Sequence, residues 1–197
     1  MKTSLKLIIL LFAFFSYFNA KAYDIEAKNI SGETIFYNII SKGSSLEVEV
    51  TFKGNSFSDT NEYSSYIIIP SHIIHNNKKY TVTSIGQWAF ANSSLAYIEL
   101  PNTIKEIKSY AFSSCKDLNF IRIPHSVKQI GRSAFWNCKR LYSVVLESKN
   151  PPKIEDSTFD SIALSIKFYI NCASQKEYRT APYWWQFYFE DCFSRSN

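Results

Sequence analysis

Four cysteines, Cys115, Cys138, Cys172 and Cys192, and three histidines, His72, His75 and His125, are the side chains of this chain best suited to act as nucleophiles or metal ligands. Cys115 and Cys138 lie 23 residues apart in two near-copies of one phrase, IKSYAFSSCKDL (107–118) and IGRSAFWNCKRL (130–141). A worn later copy carries Ile162 in the same slot, so the slot reads as apolar and the pair as buried structural thiols. Neighbouring strands of a sheet lie about 4.8 Å apart, within disulfide reach, so a bond between the two stays open. Cys172 and Cys192 fall together in the terminal segment. In an oxidising compartment they are a candidate disulfide, with two free thiols as the alternative. His72-x-x-His75 lacks a third ligand nearby and reads as a polar loop beside Asn76 and Asn77 rather than a zinc site. His125, after Pro124, carries no role.

The chain has no G-x-S-x-G, H-E-x-x-H or P-loop pattern. With five glycines in 197 residues it is poorly supplied for phosphate-cradling loops, and its acids form no evident acid/base pair. These features point away from an enzyme and from a cofactor. Lys and Arg are interspersed with acids, without the dense basic patch of a nucleic-acid binder. What stands out is aromatic content, 17% of all residues, so the elements that would position those rings decide the reading.

The phrase I-x-x-x-A-F occurs at Ile85–Phe90, Ile107–Phe112 and Ile130–Phe135, and in worn form at Ile154–Phe159 with Thr158 for Ala. Between copies runs L-x-x-I-x-I-P, as Leu95–Pro101 and Leu118–Pro124, and without its Pro as Leu141–Leu146. Repetition at 22–23 residues with this spacing marks a leucine-rich repeat array. Ile98 and Leu100 alternate with Glu99, as a short strand requires. Pro101 and Pro124, unable to donate to a ladder, end the strands. Ile104 with Ile107, and Val127 with Ile130, turn a second apolar pair inward. The A-F-x-x-C stretch has helical-turn spacing. A single repeat cannot bury its apolar face, but stacked copies cover one another.

The ends of such a stack need covering. Leu46, Val48, Val50 and Phe52 alternate with polar residues, and residues 35–52 read as a β-hairpin turning at Gly43. SYIIIP (65–70) matches the strand phrase, and IKFYIN (166–171) falls where another should be. EYRTAPYWWQFYF (177–189) supplies bulky aromatics for the far end. The expected fold is therefore a β-rich α/β leucine-rich repeat solenoid of about four rungs of 22–24 residues, with a β-hairpin N-cap and an aromatic C-cap. The divisions are residues 1–22, 23–79, 80–162 and 163–197.

Stacking turns strand positions into columns on the solvent face. One reads Tyr66, Tyr97, Phe120, Ser143, Lys167; the next Ile68, Glu99, Arg122, Val145, Tyr169; a third Ala96, Asn119, Tyr142. Aromatics beside an arginine have the composition of binding hot spots. Tyr97, Glu99, Phe120, Arg122 and Tyr142 are the candidate contacts, set against the plainer reading that cross-strand rings only stabilise the sheet.

The first residues read as an export signal: Lys2 and Lys6, an apolar run from Leu7 to Phe18, and Ala20-Lys21-Ala22 as the cleavage site. The run is shorter than the ~20 residues of a spanning helix, and no second apolar span follows. The expectation is a chain exported to the cell surface or medium, with the periplasm as an alternative, and no membrane span after signal removal.

On the Ile-Gly-x-x-Ala-Phe-x-x-Cys and Leu-x-x-Ile-x-Ile-Pro phrases, with YTVTSIG (80–86) before them and the Tyr178 to Trp184 ending after them, the chain resembles the BspA-like leucine-rich repeat proteins exported by Bacteroides-type bacteria. The resemblance implies a right-handed solenoid and adhesion or protein binding outside the cell, with an extracellular or host protein as partner. A structural spacer role and glycan binding are the alternatives. Lys108 departs from the family pattern, which has Gly there, as do Asn171 and Cys172, where Pro is usual.

Overall fold

The computed structural model describes residues 22–54, 63, 65–163 and 165–190. The expected signal segment therefore lies outside the described residues, apart from Ala22, and so does Cys192. Among the described residues no helix is long and apolar enough to cross a membrane.

The chain opens with β1 (Ile25–Lys28), β2 (Thr34–Lys42) and β3 (Leu46–Thr51), paired antiparallel in succession. The alternation holds over 47–50, where Val48 and Val50 are fully buried and Glu47 and Glu49 only partly so, but it lapses at the end, where Thr51 is buried and Phe52 only partly. β3 then pairs in parallel with β6 (Lys78–Ile85), which also forms an antiparallel hairpin with β5 (His72–His75). Asn76 and Asn77 make the hairpin turn with φ of 48° and 57°, a conformation asparagine tolerates better than most residues.

The repeats follow as two parallel ladders. One joins β6 to β8 (Glu106–Ile107) and β10 (Gln129–Ile130) and completes a seven-stranded sheet. The other runs along the opposite side. There β4 (Tyr66–Ile68) pairs with β7 (Tyr97–Glu99), and β9 (Phe120–Ile123) with β11 (Ser143–Leu146) and β12 (Lys167–Ile170). β7 and β9 are linked by the bond from the Asn119 amide to the Ala96 carbonyl, 3.4 Å. Pro124 ends β9 as predicted. Between the ladders lie Leu95, Ile98, Ile104, Ile107, Leu118, Ile121, Val127, Ile130, Leu141 and Val144, none more than 1% exposed. These are the repeated letters of the sequence.

The A-F-x-x-C stretches differ from expectation. They form irregular turns, not helical ones, with two left-handed residues in each of the first three repeats and one in the fourth. Trp88, Tyr110 and Ser133 occupy one such position (φ 52–63°), and Asn92, Ser114, Asn137 and Ser161 the other (φ 56–61°). A non-glycine residue in this region costs on the order of 1 kcal/mol. Bonds between successive turns offset it: Phe90 N to Ala111 O and Phe112 N to Ala134 O, both 2.8 Å, and Phe135 N to Thr158 O, 3.0 Å. Phe90, Phe112, Phe135 and Phe159 stack through the core, with centroids 5.1–5.3 Å apart and planes within 7° of parallel. Tyr63 meets this column at one end, and Phe168 and Trp184 at the other.

Lys108, in the slot that holds glycine in two other repeats, sends its amine to Glu49 at 2.6 Å. A Cβ at Gly131 would lie 2.6 Å from the Ser109 amide nitrogen, and one at Gly86 2.5 Å from the Val50 carbonyl oxygen. Those two repeats need the glycine for close approach.

The last segment holds a 3₁₀ turn (Cys172–Ser174), the short α1 (Gln175–Thr180) and a second 3₁₀ turn (Trp184–Gln186). Asn171 takes the place of the usual proline and caps the first turn, its Oδ1 accepting from the Ala173 amide at 2.9 Å.

Candidate functional site: the strand face

The second ladder sets the columns in register. Tyr66 lies opposite Tyr97, and their rings stack at 5.2 Å and 4°. Tyr97 stacks on Phe120 at 6.1 Å and 6°. Phe120 then lies opposite Ser143, and Ser143 opposite Lys167. Of the five candidate contacts, Tyr97 and Phe120 form this column, half-buried, with Glu99 and Arg122 exposed beside it. Tyr142 lies one position before Ser143 and is 54% exposed.

The charges are matched. Glu99 accepts a hydrogen bond from the Tyr66 hydroxyl at 2.8 Å, and that carboxylate pushes the Tyr66 phenol above its ordinary pKa. Arg122 donates to Glu147 at 3.0 Å, and Lys167 pairs with Glu190 at 3.1 Å. Exposed pairs of this kind contribute little to stability, about 0–1 kcal/mol, so their main consequence is to fix where the heads sit.

One expectation needs correction. All column positions were read as facing solvent, yet Ser143 and Val145 are buried, at 7% and 9% exposure. Both are small side chains between larger neighbours, Phe120 and Arg122 on β9 and Lys167 and Tyr169 on β12. The result is a recess of about 400 Å³ lined by Phe120, Arg122, Ser143, Val145 and Tyr169. Sequence reasoning singled out Phe120 and Arg122 but passed over Ser143, Val145 and Tyr169. The available signal was the drop from ring to serine within the first column. On the other side of the repeats, Trp88 and Tyr110, both partly buried, stack at 4.1 Å and 5°, a pair the sequence reading did not single out.

His72 and His75 lie in the strand β5, ahead of the turn at Asn76 and Asn77, and not in the polar loop expected. His72 Nδ1 lies 3.0 Å from Ser71 Oγ, and His75 Nε2 3.0 Å from Asn76 Nδ2. Among the described residues no group of three His, Cys, Asp or Glu side chains could hold a metal. Cys172 is disulfide-bonded, and its pairing with Cys192 is a proposal. Cys115 and Cys138 are free and buried, without the bond their spacing left open. Their slot is less apolar than expected. Each thiol donates to a phenylalanine carbonyl of the preceding repeat, Cys115 to Phe90 and Cys138 to Phe112, both at 3.0 Å. Ser93, in the equivalent place, donates to the Phe90 carbonyl of its own repeat at 2.7 Å.

The Cys115 thiol beside it, together with burial, holds the Cys138 thiol well above its ordinary pKa. Burial does the same to the Tyr37 and Tyr178 phenols. A raised acid keeps its proton in the folded state while the unfolded chain loses it. Stability is therefore intact below the unfolded thiol value of ~8.5 and falls as pH rises beyond it, by up to about 1.4 kcal/mol per unit per group. The phenols add to the fall above ~10. Urea midpoints measured at pH 7.5, 9 and 10 should decline, and Cys138→Ala should remove much of the drop between pH 8.5 and 10. An unchanged drop in that variant would show that Cys138 is not its source.

The profile of the BspA type leucine rich repeat region matches residues 52–179 in six copies. A comparison with curated proteins finds no match. Among solved structures, a leucine-rich repeat protein from Bacteroides ovatus is 25% identical, with a TM-score of 0.53 over 74% of this chain and 37% of that one. A leucine rich cell surface protein from Faecalibacterium prausnitzii is 22% identical (TM-score 0.47; 76% of this chain, 49% of that). The pneumococcal vaccine antigen PcpA is 17% identical (TM-score 0.47; 77% and 45%). The chain thus spans less than half the length of each of these proteins. With two thirds of its residues inside the repeat profile and the repeated letters forming its core, the chain belongs to the BspA-type leucine-rich repeat family.

Proposed function

We propose that this protein is a non-catalytic binding module, exported and held at the cell surface or released from it, which recognises another protein through the strand face. The observation that carries the reading is the column Tyr66, Tyr97 and Phe120. Three stacked, partly exposed rings flanked by Glu99 and Arg122 are a surface whose burial by a partner would be favourable. The chain's composition, with no catalytic motif, agrees with it. In this reading residues 1–22 direct export. The repeats form a right-handed solenoid of about four rungs between an N-terminal β-hairpin cap and an aromatic C-terminal cap. The partner is an extracellular or host protein, and the contact serves adhesion.

The test is a screen of residues 23–197 against extracellular proteins and glycans, beside the triple variant Tyr97→Ala, Phe120→Ala, Arg122→Ala checked for intact folding. Loss of hot spots of this kind costs about 2 kcal/mol or more each, so a protein ligand should bind the variant at least a hundredfold more weakly. Binding that survives the triple change would move the site off the strand face. Ligands confined to glycans would replace the protein partner with a carbohydrate. A stable oligomer burying Phe120 would replace recognition with a spacer or subunit role.

A further inference from the structure

We propose that the recess beside Phe120 is a stacking slot for one aromatic side chain of the partner; this rests on the strand face being the recognition surface. The column of rings ends on a small residue and not on a bulky one. Tyr66, Tyr97 and Phe120 stack on successive strands, and the next register position holds Ser143. Among the described rings Phe120 stacks only on Tyr97, which lies on the β7 side. Its other face turns toward β11, where the serine supplies no ring.

A ring placed above Ser143 would lie one strand spacing from Phe120, ~4.8 Å. That matches the 5.2 and 6.1 Å spacing of the column itself and lies within the range of offset stacking. Val145, two residues on along β11, and Tyr169, its partner on β12, complete the lining with Arg122. At about 400 Å³ the recess is at the small end of ligand pockets, roughly 300–1,000 Å³, and has room for an aromatic side chain.

Charge decides the kind of guest. Arg122 in the lining is already matched by Glu147, and Lys167, opposite Ser143 on β12, by Glu190. An anionic guest would have to displace one of these carboxylates and a cationic one would face Arg122, whereas a neutral ring does neither. A sugar ring would need several polar groups converging on its hydroxyls, and the exposed lining here is mostly apolar, with Arg122 already paired to Glu147. The slot therefore favours a phenylalanine, tyrosine or tryptophan side chain of the partner.

Indole is the probe, with methyl β-D-glucopyranoside as comparator, titrated into the ¹⁵N-labelled protein while amide shifts are followed. Millimolar binding by indole, with shifts concentrated on Ser143–Leu146 and Lys167–Ile170, is the expected result. Ser143→Phe places the chain's own ring in the slot and should weaken indole at least tenfold. Tyr169→Ala removes a wall without filling the site, and should weaken it several-fold even if the larger substitution fails to fold. Indole shifts located elsewhere, or indifferent to both variants, would overturn the slot, and preferential shifts with the glucoside would overturn its aromatic occupant. Captured protein that is lost by the triple variant but held unchanged by Ser143→Phe would overturn the slot alone and leave the face. Indole seated in the slot of a protein that captures no partner would uphold the slot and count against the face as a protein-recognition site.

Discussion

Phe135→Ala is expected to destabilise the protein by about 3–5 kcal/mol, the usual cost of emptying a fully buried phenylalanine site. The ring is 0% exposed and lies between Phe112, at 5.2 Å and 7°, and Phe159, at 5.1 Å and 1°. Both neighbours lose a stacking partner at once. The turn around it cannot collapse to fill the gap, because the Phe135 amide is fixed to the Thr158 carbonyl and the Cys138 thiol to the Phe112 carbonyl. A domain's whole stability is about 5–15 kcal/mol, so the loss is a large fraction of it.

The position of Phe135 adds a second signature. Stability in a stack of repeats is a sum of repeat terms and nearest-neighbour interface terms. Weakening an interior interface uncouples what lies on either side. The variant should unfold over a broader urea range than the parent, with amides in β9 and β11 exchanging at different denaturant concentrations. Phe135→Leu, which keeps most of the volume, should cost well under half as much. A loss below ~1 kcal/mol for the alanine variant, with a single sharp transition, would show that the aromatic column does not couple the repeats.

The periodic part of this architecture could be read from letters alone because stacking forces each repeat to solve the same packing problem. Ile98 and Ile121, or Ala111 and Ala134, are buried in the same way because they occupy the same slot. The columns of the strand face followed from that register, and Tyr97, Phe120 and Arg122 stand where it puts them. What periodicity hides is whatever depends on differences between copies. Ser143 belongs to the same column as Phe120, and alternation marks it as solvent-facing. Its burial comes from the size of its neighbours, a property of three dimensions. The A-F-x-x-C turns misled for another reason. Helical spacing and a turn with two left-handed residues both bring Phe and Cys to one side, and Trp88 and Tyr110 are poor advertisements for positive φ. The cysteines likewise accept isoleucine as a replacement, yet use their S–H groups to satisfy carbonyls between repeats. The close packing behind Gly131, by contrast, was half visible, since glycine recurs after Ile85 and Ile130 but not after Ile107.

Trp184→Ala should cost a similar 3–5 kcal/mol, yet the protein should fail in a different place. Trp184 is 1% exposed and packs against Phe159, Phe168, Tyr178 and Phe187, with ring centroids 5.4–5.9 Å away. Its indole Nε1–H donates to the Pro152 carbonyl at 2.7 Å, and the Tyr178 hydroxyl donates to the Ser148 carbonyl at 3.1 Å. Two aromatic tips thus hold the loop that follows β11. Trp184→Phe separates the contributions: it keeps most of the packing but leaves a buried carbonyl unpaired, at about 1–3 kcal/mol. Because this ring covers the last repeat, its loss should release the stack from one end. Hydrogen exchange should rise first in β12 and β11, while β7 and the hairpin of β2 and β3 keep their protection. Interior and terminal aromatics then make opposite demands on the same measurement, a split stack for Phe135 and a fraying one for Trp184. If Trp184→Ala instead lowered protection uniformly from β2 to β12, the chain would be behaving as one cooperative core, and nearest-neighbour coupling would not describe it.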